Sequence, residues 1–333
     1  MSFWAGRRVL VTGHTGFKGG WLTLWLSALG ARVTGFAAAP PTEPSLFELA
    51  RIGELCDDRR GDVRDGQEVA DAVSASRAEV VFHLAAQPIV RAALEDPAHT
   101  YAVNVVGTAH VLRAARDAVI VCVTSDKCYL AAEQPHREGD RLGGSDPYSA
   151  SKAAQELVAA AERETHGVRV ATARAGNVIG GGDWSRDRLV PDLVRALDSG
   201  APVTLRHPEA VRPWQHVLNP LAGYLLLAER LASSAEWAGP WNFGPAEADM
   251  RPVGWLVDRV RERWPVDVRV VTPDDTVDAA PLRLDASKAR ERLGWAPRLD
   301  LAAGLDATVC WHDRVRGGAD ARTVTMTQIE EAS

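Results

Sequence analysis

Short apolar segments alternate with amphipathic segments through the first half of the chain. The candidate strands are residues 8–12, 31–36, 79–84, 118–123 and 168–173. The candidate helices between them are residues 19–29, 67–76, 101–116 and 149–164. Near-continuous apolar strands separated by helices are typical of a parallel sheet that is covered on both faces. The pattern therefore predicts an α/β fold with a doubly wound parallel sheet of the Rossmann type.

The pattern changes after about residue 176, where the chain becomes irregular. The second half contains Gly-Gly-Gly-Asp-Trp at 180–184, several prolines and most of the tryptophans. A loop-rich region packed onto a sheet is the usual place for a substrate site, and 333 residues suffice for two domains. We predict a Rossmann domain over 1–175 and a smaller, mainly substrate-binding C-terminal domain over 176–333. Some elements of the latter can return to the Rossmann sheet.

Composition excludes several classes of partner. Charged residues make up 25% of the chain and the net charge is −6, so there is no basic footprint for nucleic acid or an anionic membrane. The four cysteines, Cys56, Cys122, Cys128 and Cys310, form no CxxC pair, which favours a reduced protein over a disulfide framework or a zinc site. No apolar run reaches the ~18 residues of a membrane span, and no signal-peptide core precedes the first strand. We predict a soluble cytoplasmic protein without a bound metal.

A glycine-rich loop follows the first predicted strand. Gly13, Gly16 and Gly19 have the spacing GxxGxxG, and a predicted helix follows at once. Glycines at such a turn allow backbone N–H groups and a helix N-terminus to approach a pyrophosphate. Between the first strand and the first helix, the loop indicates a dinucleotide site rather than an ordinary turn. The acidic residue that usually closes the second strand is missing at 34–40, so this rule leaves NAD and NADP both open.

Two further segments are candidates for the same site. Asp62 and Val63 follow the third strand, where they could meet the adenine edge. The segment with Leu84, Ala85 and Ala86 supplies small residues where the sheet must pass close to a cofactor. Ordinary sheet packing is an equally good interpretation of both segments.

Tyr148 and Lys152 form a pair at the start of a predicted helix. Their spacing of four residues places them on one face, about one turn apart. A nearby ammonium group favours the phenolate and lowers the tyrosine pKa, which makes the phenolate a usable base near neutral pH. Such pairs also occur on solvated helix faces, and it is the glycine-rich loop upstream that makes catalysis the better interpretation.

A polar cluster, Thr124, Ser125, Asp126 and Lys127, ends the buried strand 118–123. Ligands bind at the carboxyl edge of a parallel sheet, so we expect these side chains to line a reaction centre. A hydroxyl can hold a substrate oxygen that loses its proton, and a carboxylic acid can protonate a leaving hydroxyl. The alternative interpretation is a capping or loop cluster.

Ordered motifs extend from the glycine-rich loop almost to the C-terminus. They are residues 12–19, 40–48, 83–87, 124–129, 174–184, 212–217, 241–245, 284–288 and 293–295. Together they resemble the extended short-chain dehydrogenase/reductase family of nucleotide-sugar enzymes, and within it the branch of 4,6-dehydratases that act on CDP-glucose. The strings at 125–129 and 180–184 are specific to that branch, since most sugar-nucleotide dehydratases have Thr-Asp-Glu where this chain has Ser-Asp-Lys.

The resemblance implies a reaction and roles for residues. NAD is the cofactor, and Phe17 joins the loop glycines in binding it. Ser125, with Thr124 beside it, contacts the sugar 4-hydroxyl. Tyr148 removes the proton of that hydroxyl, and Lys152 holds the nicotinamide ribose. Hydride leaves sugar C4, water is eliminated across C5 and C6, and hydride returns at C6, so that CDP-glucose becomes CDP-4-keto-6-deoxyglucose and NAD is regenerated.

The resemblance also implies contacts to the nucleotide sugar. Asp126 is the acid for the departing 6-hydroxyl. Asn177, Arg188 and His216 match substrate contacts. Arg212 matches a phosphate-binding arginine, which suits the bidentate pairing of guanidinium with phosphate.

A homodimer is the predicted assembly. The candidate helices 101–116 and 149–164 carry alanine-rich faces. In similar enzymes these helices form a four-helix dimer interface, and isologous pairs are the commonest oligomers.

Three segments depart from the family pattern: those after Tyr129 and after Ala161, and residues 274–282. These differences affect substrate-side loops more than catalytic residues, so a dehydratase of another nucleotide sugar stays an alternative. A nucleotide-sugar epimerase or decarboxylase on the same scaffold is another, although C4 epimerases need no acid like Asp126 to expel a 6-hydroxyl. A cofactor-sensing protein without turnover is the alternative outside enzymes, and the retained Tyr148 and Lys152 argue against it.

Overall fold

A computed structural model describes residues 3–271 and 282–332, so that 274–281 of the third departing segment lie outside the described residues. The strands are β1 (Arg8–Thr12), β2 (Arg32–Ala37), β3 (Asp57–Arg60), β4 (Val80–His83), β5 (Val119–Val123), β6 (Val170–Arg174), β7 (Val178–Ile179), β8 (Val203–Leu205), β9 (Val211–Arg212), β10 (Gln215–His216), β11 (Gly239–Asn242), β12 (Arg251–Pro252) and β13 (Val268–Val270).

The α-helices are α1 (Phe17–Ala28), α2 (Leu46–Leu49), α3 (Gly66–Ser76), α4 (Val90–Glu95), α5 (Pro97–Tyr101), α6 (Gly107–Ala114), α7 (Pro147–His166), α8 (Leu189–Ser199), α9 (Leu218–Ser233), α10 (Val253–Arg261), α11 (Leu301–Arg316) and α12 (Ala321–Glu331). Two π-helical segments occur, Ala102–Val106 and Ala289–Leu293. Short 3-10 helices occur at Ile52–Glu54, Asp126–Cys128, Ala235–Trp237 and Glu247–Asp249. None of the helices in the described part of the chain is both long enough and apolar enough to cross a membrane.

The described residues form one large sheet of seven parallel strands, in the order β3-β2-β1-β4-β5-β6-β11. The central strands β4 and β5 are buried along their whole length, as their apolar sequences require. Strand order reverses between β1 and β4, and such a reversal opens a crevice at the carboxyl ends of the strands. The predicted doubly wound α/β fold is confirmed.

Every predicted strand and helix is present. Most ends differ by one or two residues, and the predicted helix 101–116 is in fact continuous with α5, which begins at Pro97. Of the seven strands of the large sheet, β3 and β11 are not among the candidate strands that the apolar pattern predicts. β3 is a charged edge strand, and β11 contains a glycine and a proline, which an edge strand tolerates because its outer N–H needs no partner.

The second half of the chain contributes to two hydrophobic cores. Leu221 of α9 and Val324 of α12 belong to the large core that also contains Trp21 of α1. Leu193 of α8 and Leu305 of α11 belong to a smaller core of their own. The second half therefore builds a separate core and also returns elements to the Rossmann sheet, while a division at residue 175 stays a prediction.

Close packing explains the glycine string at 180–184. A Cβ atom on Gly181 would overlap the ring of Trp311 in α11. Gly182 has a φ of 82°, a conformation that side chains other than glycine rarely adopt. The Nε1 atom of Trp21 donates a hydrogen bond of 2.9 Å to the carbonyl of Gly181. The string therefore joins the substrate side of the cleft to α1 and α11.

We expect Gly181→Ala to destabilise the protein by about 1–3 kcal/mol, because an added methyl group must displace a buried indole ring. Urea denaturation followed by tryptophan fluorescence measures this change. Gly139→Ala is the matched control, since a Cβ at Gly139 meets no atom of the described chain within 4 Å. Equal midpoints for the two variants would contradict the packing role of Gly181.

Candidate active site

The glycine-rich loop brings backbone groups of β1, α1 and the β4 loop together. Gly13 has a φ of 77°, and a Cβ there would lie 2.7 Å from the amide nitrogen of Ala85. A Cβ on Gly19 would overlap the carbonyl oxygen of Gly13. Both positions therefore require glycine, because neighbouring backbone atoms leave no room for a side chain.

The N-terminus of α1 lies at this loop. Its N-cap residue is Gly16, no side chain of the described chain caps the helix, and its first turn contains no acidic residue. First-turn N–H groups and the helix dipole favour an anion at such a site. The loop and helix end therefore fit the pyrophosphate of a dinucleotide, with Phe17 half-buried in the first turn.

The remaining predicted cofactor residues lie around this loop. Leu84, Ala85 and Ala86 are half-buried and directly follow β4. The Asp62 carboxylate accepts hydrogen bonds from Arg64, which lower the pKa of Asp62. Val63 is buried in the core behind the sheet. The structure thus gives Asp62 and Val63 structural contacts, and their role towards a cofactor stays a prediction.

A histidine of the loop contacts a carboxylate of the neighbouring strand β3. The Nε2 atom of His14 lies 2.8 Å from Oδ1 of Asp58 in β3. Gly35 of β2 makes room for the ring, since a Cβ there would overlap it. Burial lowers the pKa of His14, against the influence of Asp58. The sequence gives no local sign of this contact, because the acid lies on the neighbouring strand.

The polar cluster after β5 combines a cap with a reactive arrangement. The Ser125 hydroxyl accepts from the amide of Lys127 at 3.2 Å, which caps the 3-10 helix Asp126–Cys128. The same hydroxyl donates to Oδ1 of Asp126 at 2.9 Å. The predicted alternatives of capping and chemistry are therefore compatible at Ser125.

Asp126 is a buried carboxylic acid. Its side chain is 2% exposed, and its Oδ2 atom is buried without a hydrogen-bond partner among the described residues. Burial raises the pKa of Asp126, while Lys127 and Arg212 act in the opposite direction. A Cβ on Gly176 would overlap this carboxylate. The raised pKa favours a protonated group that can act as a general acid.

Tyr148 lies beside Ser125, and its pKa differs from the prediction. A hydrogen bond joins the two side chains, but burial dominates and raises the pKa of Tyr148 to about 12. The Lys152 ammonium donates to Oε1 of Gln155 at 2.9 Å, and the contacts that lower the Tyr148 pKa come from Ser125 and Arg188. The predicted lowering of the tyrosine pKa is wrong for this structure, because desolvation of the phenolate outweighs every stabilising contact.

Thr124 belongs to a buried hydrogen-bond network next to the site. Its hydroxyl donates to Oε1 of Glu156 at 2.5 Å, and both side chains are buried. Glu156 also accepts from Thr172 at 2.6 Å and pairs with Arg174 at 2.7 Å. The Thr124 proton is therefore committed to a buried network, and the contact of Thr124 to the substrate hydroxyl stays a prediction.

The predicted substrate residues fall into two groups. Asn177 follows β6 in the left-handed region with a φ of 45°, which asparagine tolerates. Arg188 pairs with the buried Asp183 at 3.0 Å. Arg212 is buried and close enough to Asp126 to lower its pKa. Arg188 and Arg212 thus act on the charges of Tyr148 and Asp126, and the contacts of all three residues to a ligand stay a prediction.

His216 belongs to the other group. Its ring is fully buried, packs edge-on against Trp21 at 5.8 Å, and has a pKa lowered by burial to about 3. The structure thus gives His216 a packing contact with α1, and its contact to a substrate stays a prediction.

Lys18 is a site residue that the predictions omit. Burial, together with the charges of Arg188 and Lys152, lowers its pKa to about 7. Asp126 and Asp183 favour its charged form. Its position inside the glycine-rich loop is the signal by which the sequence could have identified it.

Comparison with known proteins agrees with this geometry. The sequence profile of the NAD dependent epimerase/dehydratase family matches residues 9–242. The chain is 44% identical to the CDP-glucose 4,6-dehydratase of Salmonella typhimurium, covering 99% of this chain and 97% of that protein. It is 31% identical to the dTDP-glucose 4,6-dehydratase of Streptomyces antibioticus, covering 91% and 92% of the two chains.

Solved structures show the same fold. The dTDP-glucose 4,6-dehydratase of Streptomyces venezuelae, with NAD and TYD bound, has a TM-score of 0.80 at 27% identity, covering 95% of this chain and 99% of its own. The UDP-glucose 4-epimerase of Thermotoga maritima has a TM-score of 0.81 at 22% identity, covering 92% and 99%, and this likeness concerns the fold alone. The predicted resemblance is confirmed, and so is NAD as the cofactor, which the end of β2 leaves open. The chain belongs to the NAD dependent epimerase/dehydratase family.

Proposed function

We propose that this protein is a nucleotide-sugar 4,6-dehydratase that converts CDP-glucose into CDP-4-keto-6-deoxyglucose. The observation that carries the proposal is the buried carboxyl group of Asp126, with a raised pKa, in contact with Ser125 and one hydroxyl away from Tyr148. This places an acid beside a base, as the loss of water from a sugar requires. The 44% identity to a CDP-glucose 4,6-dehydratase supports the choice of substrate.

NAD, when bound, supplies a hydride acceptor for sugar C4 and a hydride donor for C6. The chain positions it through the cradle of Gly13, Gly19 and the α1 N-terminus, with Lys152 at the ribose. Tyr148 takes the proton of the 4-hydroxyl, and Ser125 holds the oxygen. The C4 carbonyl acidifies the C5 hydrogen, which is lost as a proton to a base, while Asp126 gives its proton to the departing 6-hydroxyl, so that one water leaves.

A nucleotide-sugar epimerase or decarboxylase is the second candidate function. Its support is the shared fold and the Tyr148–Lys152 pair, which such enzymes also need. A C4 epimerase, however, gains nothing from a buried acid beside the reacting carbon. Asp126 therefore favours the dehydratase.

The substrate can be identified directly. CDP-, dTDP-, GDP- and UDP-hexoses are incubated separately with the protein and NAD, and the products are analysed by mass spectrometry. We expect loss of one water from CDP-glucose, with a 4-keto-6-deoxy sugar as product. Dehydration of another nucleotide sugar alone would leave the reaction class intact and change the base or sugar, whereas a product isomeric with its substrate would support the epimerase.

Physiological setting and assembly complete the proposal. A 4-keto-6-deoxy sugar nucleotide belongs to deoxysugar biosynthesis, and the substrate and cofactor are consistent with a cytoplasmic enzyme.

Tyr101, Val106 and Leu157 are exposed by 39%, 47% and 60% on the helices α5 to α7 and the π-helical segment between them. Apolar side chains exposed on adjacent helices support a homodimer formed through these helices.

Asp126→Asn keeps the size of the side chain and removes the acid. Because Tyr148 and Lys152 remain, oxidation at C4 should continue while loss of water slows by about 10²–10⁴-fold. With stoichiometric enzyme, NAD and CDP-glucose, absorbance at 340 nm should show reduced nicotinamide accumulating in the variant only. Asp65→Asn, which replaces one good N-cap of α3 by another, is the control. Dehydration by Asp126→Asn at the native rate would refute the assigned role.

Cofactor use distinguishes internal hydride return from net oxidation. We expect many turnovers per NAD, with no lasting increase in absorbance at 340 nm in the wild-type protein. Product is quantified by mass spectrometry in the same reaction. Reduced nicotinamide that accumulates in proportion to product would instead indicate a dehydrogenase.

The dimer prediction is tested by light scattering at micromolar concentration. We expect a mass twice the 35.9 kDa of the chain. Leu157→Glu should reduce the mass to that of one chain, because a carboxylate in an apolar contact is costly to desolvate. Val270→Glu, at an exposed position of β13, is the control. A monomeric wild-type protein would rule out the interface.

A further inference from the structure

The Lys152 ammonium forms a hydrogen bond with a glutamine of its own helix. Its side chain is 2% exposed and donates to Oε1 of Gln155 at 2.9 Å. An ammonium group only donates, so the amide oxygen must face Lys152 and the amide nitrogen must face away. The Gln155 orientation is therefore fixed by chemistry.

The amide nitrogen of Gln155 continues a buried hydrogen-bond chain. It donates to the Thr108 hydroxyl at 2.8 Å and to Cys122 Sγ at 3.4 Å. Thr108 uses its own hydrogen for the carbonyl of Asn104, at 2.6 Å. Its oxygen can then only accept from the Nε2 atom of His83, which lies 2.9 Å away.

The same reasoning determines the protonation of His83. Burial lowers the pKa of His83 to about 3, so the ring is neutral. With its hydrogen on Nε2, the Nδ1 atom accepts from the Thr12 hydroxyl at 2.7 Å. Thr12 in turn accepts from the amide of Ala85 at 3.2 Å, beside Gly13. Each hydrogen atom in this series of hydrogen bonds, from Gln155 to Thr12, therefore has one possible position.

We propose that Gln155 is a positioning residue for Lys152, and that the chain through Thr108, His83 and Thr12 ties the ammonium group to the glycine-rich loop. One ammonium hydrogen is used by Gln155, which leaves two for the ribose of NAD. The two ends of the cofactor site, loop and lysine, are thereby held at a fixed separation. The inference rests on the proposed function only in taking Lys152 as the ribose contact.

The charge of Lys152 depends on few groups. Burial lowers the pKa of Lys152 to about 8, while Cys122, Glu156 and Cys128 favour its charged form. The charge of Lys152 in turn lowers the pKa of Lys18 in α1 and that of His83 in β4. Glu156 is already paired with Arg174, so the Gln155 oxygen is the direct hydrogen-bond acceptor of the ammonium.

Replacing Gln155 should therefore move the pKa of Lys152 in either direction. Gln155→Leu removes the acceptor and favours the neutral amine, which lowers the pKa. Gln155→Glu places a carboxylate at the same atom and raises it. A hydrogen bond to a charged group corresponds to roughly one pH unit or more.

The test measures the Kd of NADH by fluorescence on the full chain from about pH 6 to about pH 9.5, a range that spans the lowered lysine pKa. Binding is tight below the Lys152 midpoint and weakens as pH rises through it. We expect a wild-type midpoint near the pKa of about 8. The midpoint should fall by about one unit in Gln155→Leu and rise by about one unit in Gln155→Glu.

Gln328→Leu is the matched control, because it removes a glutamine bond to the carbonyl of Ala307 in the α11–α12 contact. It should lower the thermal midpoint without moving the pH midpoint. If Gln155→Leu fails to fold, Thr108→Val takes its place. This isosteric change removes one of the two acceptors of the Gln155 amide nitrogen and leaves Cys122 Sγ as the other, so it should lower the pH midpoint by less than the Leu variant.

A common pH midpoint for the wild type and all variants would overturn the inference, and so would wild-type binding that does not change with pH. NADH binding needs no sugar turnover. Failure of the dehydratase proposal would appear separately, as absence of a dehydrated product from every nucleotide sugar.

Discussion

The geometry of the site depends on the buried ion pair between Glu156 and Arg174, whose side chains are both 3% exposed. Glu156 lies on α7, one turn beyond Lys152, and it also accepts from Thr124 after β5 and Thr172 of β6. A buried carboxylate is stable only when its lone pairs are satisfied. The carboxylate thus locks α7 onto two strands, and the position of the catalytic tyrosine and lysine relative to the polar cluster follows.

The same pair connects the Rossmann sheet with the second half of the chain. Arg174 donates to the Tyr129 hydroxyl at 2.7 Å, and that hydroxyl donates to Asn242 of β11 at 2.7 Å. Asn242 in turn donates to the carbonyls of His136 and Asp285. Removal of Arg174 would leave a buried charge and several polar groups unpaired, so the cleft and the edge of the sheet depend on one another.

Sequence patterns predict those features that depend on residues close to one another along the chain. The burial of β5 and the helical spacing of Tyr148 and Lys152 depend on neighbours along the chain, and the sequence is sufficient for both. The groups that hold Gln155 against Lys152 are distant along the chain. Thr108 lies 47 residues from Gln155, and His83 lies 25 residues from Thr108, and no spacing rule covers such contacts. The burial of His216 is likewise set by tertiary packing, which turns its ring into the core.

Burial acts on three groups of the site in the direction of their neutral forms. It raises the pKa of Asp126, raises that of Tyr148 to about 12 and lowers that of Lys152 to about 8. The shift of Asp126 favours the protonated form that can donate, whereas the shift of Tyr148 makes it a poor base until a cation stabilises its phenolate. Lys152 is the cation one turn away, and it is itself close to losing its charge. The acid is therefore prepared by burial alone, whereas the base requires an ammonium group kept both charged and in place.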